Sequence, residues 1–198
     1  MTGIVSIPAW NDQCVLPPIN DRQPTSVHRS PYLVSLADII SHFGVSKARQ
    51  DVLQGFLRYR AELHQAGLKQ GFQWLDGSFL EHIEKLESRP PNDIDVVTFF
   101  HLPDGQSQQD IARGFPDLFP SSREKMETFK AQYHVDAYVV HLNSRGDLLV
   151  ERAAYWYSVW SHKRDYTWKG YVQVDLDPSA DAAAIAVLTS LGDQEASS

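Results

Sequence analysis

No disulfide can close within this chain, because Cys14 is the only cysteine among its 198 residues. A reducing compartment is therefore the expected setting, and a cytoplasmic location is the default. No apolar run approaches the roughly 20 residues that a membrane-spanning helix needs, so no membrane partner is expected. The opening MTGIVSIPAWNDQ lacks a basic segment followed by an apolar one, so no secretory leader is expected either. Positive charge is not in excess: 18 lysines and arginines face 25 aspartates and glutamates, for a net charge of −7. Nucleic acid would have to be held by a local basic patch. The histidines form no HxxxH or His/Cys pairing, which argues against zinc. There is no internal repeat and no low-complexity block.

What is present suits one folded domain, with 42% of residues hydrophobic and 22% charged. Residues 1–35 are punctuated by Pro8, Pro17, Pro18, Pro24 and Pro31 and are expected to form an extended arm. SLADIISHFG predicts a helix capped by Ser35 and stopped near Gly44. KARQDVLQGFLRYRAELHQAG predicts a second, capped by Ser46 and stopped at Gly67. GFQWLDGS predicts a short strand entering a turn, FLEHIEKLE an amphipathic helix, and IDVVTFFHL a strand buried on both faces. PDGQSQQDIARGFPDLFP is expected to be mostly loop. Ser121 and Glu124 have the spacing of a capping box before another helix. HVDAYVVHL predicts a further strand, ERAAYWYSVWSHKR a helix rich in aromatics, and KGYVQVDL a strand. Residues 177–198 are expected to fray, apart from a short helix near AAAIAVLTSL. The expected class is α+β (mixed α/β): a small mixed central sheet flanked by helices, spanning 36–176 and led by a helical hairpin.

The chemistry concentrates in WLDGSFLEHIEKLESRPPNDIDVVTFF. Asp93 and Asp95 are two apart at the start of an apolar strand, so their carboxylates share a face. Like charges that close raise each other's pKa unless a cation intervenes. Mg²⁺ (or Mn²⁺) suits such oxygen donors, and Asp136 within HVDAYVV supplies a third carboxylate if the two strands are neighbours. Gly77 and Ser78 offer a tight turn and free amides to a phosphate. In SHKRDYTWKG, Lys163, Arg164 and Lys169 stand among Tyr166 and Trp168. They are either a cationic, stacking wall for a nucleotide or a solvated turn before a strand. His134 beside the acidic strand is expected to be structural, and Trp74, Trp156 and Trp160 to belong to the core.

LDGSFLEHIEKLESRPPNDIDVV resembles the Gly-Ser…Asp-x-Asp signature of the polymerase-β-like nucleotidyltransferase superfamily, and Asp136 stands where that superfamily places its third acidic residue. The whole chain also resembles a group of small bacterial nucleotidyltransferase-like proteins, through IPAWNDQCVLPPI and SHKRDYTWKGYVQVDL. In one departure, Ser78 and Asp93 lie farther apart than in compact members, the surplus falling in EKLESRPP. The resemblance implies a nucleotidyltransferase-like fold and transfer of a nucleoside monophosphate from a triphosphate to a hydroxyl on a protein, RNA or small molecule. Asp93, Asp95 and Asp136 would be the metal ligands and catalytic groups. Two alternatives stand beside it. One is a catalytically silent nucleotide- or partner-binding module of a toxin–antitoxin or defence pair. The other is a DNA-binding regulator using LADIISHFGVSKARQDVL as a helix-turn-helix, although Gln50 stands where an apolar residue is needed.

Overall fold

Two capped helices lead the chain into its sheet. In the computed structural model, which describes residues 3–196, α1 (Leu36–Phe43) starts at Ser35, whose hydroxyl accepts from Asp38 N. α2 (Lys47–Gln65) starts at Ser46 in the same way, through Arg49 N. The hairpin is bound to the body of the protein. Gln50 is buried and its Nε2 donates to Gly44 O at 3.2 Å. Arg49 and Arg60 are fully buried against carboxylates, so neither points outward.

The strands are β1 (Tyr32–Leu33), β2 (Gly71–Asp76), β3 (Ile94–Phe100), β4 (Val135–His141) and β5 (Val172–Asp175), in the spatial order β1-β5-β2-β3-β4. β2 pairs antiparallel with both β3 and β5, whereas β3–β4 and β1–β5 are parallel. A parallel neighbour requires a crossover. α4 (Gln108–Gly114), a 3-10 turn at Pro116–Leu118 and α5 (Arg123–Tyr133) make it between β3 and β4. α6 (Gly146–Trp160) follows β4, and α7 (Ser179–Ala196) closes the chain. The molecule is an α+β protein with a five-stranded mixed sheet, and β3 is buried on both faces as its apolar run predicts. No helix among the described residues is long and apolar enough to cross a membrane.

Four local expectations need correction. FLEHIEKLE is not one helix: a 3-10 turn at Ser78–Leu80 breaks at Glu81 before the short α3 (Ile83–Glu87). The break has a tertiary cause. The Arg49 guanidinium takes Phe79 O and Glu81 O at 2.7 and 2.8 Å, and Trp10 Nε1 takes Leu80 O at 2.7 Å. Carbonyls that a helix would use are satisfied from elsewhere. The second correction is in the crossover, where Ser107 and Asp110 form a reciprocal capping box and turn the expected loop into α4. Third, α5 is capped by Ser122 through Lys125 N, not by Ser121.

The fourth concerns the tail. Beyond Pro178 the described residues form α7, which packs on α1 and α2 through Val187, Leu188 and Leu191. Alanine-rich sequence favours helix once an apolar stripe can be buried. The remainder of the tail, 197–198, lies outside the described residues. The arm is irregular up to β1 but is part of the core, with Cys14, Val15 and Leu16 buried and Cys14 O accepting from His82 N.

Candidate active site

Three aspartates stand in one row across the sheet. The antiparallel register sets Asp76 opposite Asp95, and the parallel register sets Asp95 beside Asp136. Directly paired residues project to the same face, so the three carboxylates converge. Asp93 joins them from just ahead of β3. Lys130 on α5 bridges the near end, its Nζ 3.3 Å from Asp93 Oδ2 and 2.7 Å from Asp136 Oδ2. Lys169 bridges the far end, its Nζ 2.9 Å from Asp76 Oδ1 and 3.1 Å from Glu81 Oε1.

The electrostatics follow from burial and crowding. Burial, reinforced by the charges of Asp76, Asp93 and Asp136, pushes Asp95 up to about 7 despite Lys169 nearby. Burial also raises Asp76, to about 6, with Lys169 pulling it back. Burial works against the charge of Lys169, yet Asp76 and Glu81 outweigh it and hold its pKa above the ordinary value. Lys130 is raised in the same sense, with Asp136 and Asp93 outweighing burial. Gly77 sits against this row with φ of +88°, and a Cβ there would lie 2.8 Å from Asp95 Oδ2. Only glycine lets the backbone pass so close in that conformation.

The row forms the floor of a cavity of about 800 Å³. Eight of the residues singled out from sequence line it: Asp93, Asp95, Asp136, Gly77, Ser78, Lys163, Arg164 and Lys169. Gly77 is the cap residue of the three-residue turn that Ser78 opens; among the described residues the Ser78 hydroxyl makes no hydrogen bond, and so short a turn supplies no long-helix dipole. Lys163 Nζ lies 3.7 Å from Glu81 Oε2 and Arg164 is exposed, whereas Lys169 is engaged by its two carboxylates. Tyr166 and Trp168, expected as stacking groups beside them, are not among the lining residues. His134 is the left-handed C-cap of α5, a structural place.

Sequence reasoning missed Asp76, Glu81 and Lys130, together with the wall made by Tyr138, Tyr155, Trp156 and Trp160. Asp76 had a signal, since it is the strand-end carboxylate directly before Gly77-Ser78. Lys130 had none, because the crossover alone brings it over the row. Trp156 and Trp160 are buried as expected, but they also face the cleft.

As they stand, no three carboxylate, imidazole or thiol side chains among the described residues are grouped so as to hold a metal ion. The cations at the carboxylates are lysines. Asp95 differs from its neighbours: among the described residues no side-chain hydrogen bond or ion pair engages its carboxylate, and it faces Asp76, Asp93 and Asp136.

Fold and cleft together define a small α+β protein whose mixed sheet carries a lysine-bridged row of carboxylates. Residues 8–175 match a family described as a family of unknown function (DUF6932), and the chain belongs to that family. The match takes in every cleft residue named above and stops before α7. No curated protein and no solved structure matches the chain.

Proposed function

We propose that the cleft is a nucleotidyltransferase site that moves a nucleoside monophosphate from a nucleoside triphosphate to a hydroxyl acceptor. The observation that carries this reading is the in-register row Asp76–Asp95–Asp136 packed against the Gly77 turn. Asp93, Asp95 and Asp136 would hold Mg²⁺ or Mn²⁺, and their hard oxygen donors suit either ion. When bound, the metal supplies charge to the phosphates and lowers the pKa of the attacking hydroxyl. The cleft's own charge supports that need: seven carboxylates line it against five lysine or arginine side chains, so a bare triphosphate is repelled.

The chain's own groups divide the rest of the work. Ser78 presents its backbone amide at the Gly77 turn, whose own amide is held by Asp76, and Lys163 and Arg164 meet the phosphates from the facing wall. Lys169 keeps Asp76 and Glu81 compensated. The acceptor oxygen bonds to the α-phosphorus as the bond to pyrophosphate breaks, and Asp136 takes the acceptor's proton. Lys130 must leave Asp93 and Asp136 before a metal can bind there. The test is transfer of label from an α-phosphorus-labelled nucleoside triphosphate to candidate RNA, protein and small-molecule acceptors. Equal labelling by wild type and Asp95→Asn would sink the assignment.

A second reading draws on a specific observation: Lys130 and Lys169 already compensate four carboxylates of the cleft. A catalytically silent module that binds a nucleotide or a partner protein needs nothing more. Calorimetry that detects Mg²⁺-dependent nucleotide binding, with no turnover on any acceptor, selects this reading.

A further inference from the structure

The sheet has two edges, and the chain treats them differently. At one, β1 is two residues long and the arm lies against it, Val5 N–H donating to Leu33 O at 2.8 Å. At the other, β4 is seven residues long. Its pairing to β3 uses alternate residues, because Ile94 N–H donates to His134 O and Leu142 N–H to Phe100 O. Asp136, Tyr138 and Val140 therefore face β3, while Val135, Ala137 and Val139 turn their N–H and C=O groups outward. Among the described residues, no hydrogen bond is made by the outward groups of Ala137 or Val139. Natural sheets blunt a long edge with proline, lysine, a bulge or an inward-pointing charge. VDAYVVH has neither proline nor lysine, its register with β3 is unbroken, and Asp136, its one carboxylate, lies in the acidic row beside Asp95.

A second cavity, of about 420 Å³, lies between this edge and α6. Val139 and Leu148 line it while being 42% and 43% exposed, and Arg152 and His141 line it with no carboxylate present. Tyr138 and Trp156 line both this groove and the acidic cleft, so the two adjoin across those side chains.

We propose that β4 is the docking edge for an extended segment of a partner protein, which adds as a sixth strand, seats an apolar side chain on Val139 and Leu148, and sets a carboxylate against Arg152. Main-chain pairing supplies the affinity in this mode, and alternate side chains supply the choice of partner. The charge pattern selects the occupant. A second copy of the same edge brings only Asp136, already paired with Lys130 Nζ at 2.7 Å, whereas an acidic segment brings an unpaired carboxylate to Arg152. A polynucleotide has no backbone that continues a β-ladder. The docking stands whether or not the cleft transfers a nucleotide.

The test selects displayed random heptapeptides on the full chain, then resynthesises those recovered with alternate backbone amides N-methylated. Recovered peptides carry Asp or Glu at one fixed position, and Arg152→Glu or N-methylation each weakens them by about tenfold or more. The amides of Ala137 and Val139 become protected from hydrogen exchange when peptide is added. Val139→Pro removes an outward N–H that makes no ladder bond, so the fold is kept and peptide binding is lost. Failure to recover any peptide overturns the proposal, as do binders indifferent to both Arg152→Glu and N-methylation. A concentration-dependent dimer that Val139→Pro abolishes gives the edge to a second copy. Arg152-dependent binding of an RNA oligonucleotide, with no peptide bound, gives it to nucleic acid. Either result also overturns the proposal.

Discussion

Asp95 and Asp136 are register partners on the parallel strands β3 and β4, one on an interior strand and the other on an open edge. Asp76 completes the row from β2. A sheet that places carboxylates side by side must compensate them, and here two lysines do so from opposite ends while Asp95 in the middle has neither. That asymmetry makes the cleft sensitive to pH and to the loss of either lysine.

The Asp95→Asn variant should be more stable than wild type above neutral pH while losing transfer of label. Burial, with Asp76, Asp93 and Asp136, raises Asp95 in the folded chain to about 7 from an ordinary value of 3.8. Between those values the folded state keeps a proton that the unfolded chain has released. Stability therefore falls as pH rises through that window and levels off above it. The fall is on the order of 2–4 kcal/mol, and the Asn variant lacks it. Urea denaturation near pH 5 and near pH 8 checks the sign, and a steeper fall in the variant than in wild type would contradict it.

Lys169→Met should be among the most damaging changes to the fold. Its ammonium is buried between Asp76 and Glu81, and removing it strands two buried carboxylates. Breaking one partner out of a buried pair typically costs about 3–5 kcal/mol. Adding Asp76→Asn should return part of the loss, because one of the two orphaned charges is then gone. Thermal unfolding of the single and double variants measures this, and equal destabilisation of both would count against it.

The two helix caps were legible in the sequence because a serine ahead of an apolar stripe is a local signal, and Ser35 and Ser46 act as such. β3 and β4 were legible from their apolar runs, and Asp95 and Asp136 because a strand interior disfavours aspartate. The break after Leu80 was not, since it depends on Arg49 and Trp10 arriving from distant segments. Lys130 was invisible for the same reason. A helix-face lysine looks solvated until the parallel crossover sets it over Asp136. The far-separated groups of the cleft were found where each had a local excuse to be odd, and missed where only topology made them neighbours.

Lys130→Met should strengthen Mn²⁺ binding to the cleft with little effect on stability. Its Nζ is the cation between Asp93 and Asp136, and its side chain is 38% exposed. Partly exposed pairs contribute about 0–1 kcal/mol to folding, so the fold tolerates the loss. A unit positive charge a few ångströms from an incoming metal opposes it by on the order of 1–4 kcal/mol. Titration of Mn²⁺ by paramagnetic resonance compares the two proteins. Weaker binding in the variant would mean that Lys130 supports the ligand instead of competing with a metal.

Asp181→Ala should unfold the protein more readily although it lies outside the family match and lines no part of the cleft. Asp181 Oδ1 accepts from Arg60 Nε and Nη2 at 2.9 and 2.7 Å, and Oδ2 lies 3.2 Å from His64 Nδ1. Arg60 in turn donates to Gln73 Oε1 at 2.6 Å, and Gln73 Nε2 donates to Thr98 Oγ1 at 2.9 Å. The first turn of α7 thus plugs a polar chain that runs under the sheet from α2 through β2 to β3. Truncating Asp181 leaves a buried guanidinium with half its partners, a loss of roughly 3–5 kcal/mol. Arg60→Met combined with Asp181→Leu replaces the pair by apolar groups and should recover most of it. Chemical denaturation of the single and double variants decides the matter. If Asp181→Ala unfolds at the wild-type midpoint, α7 is not anchored to α2 in solution.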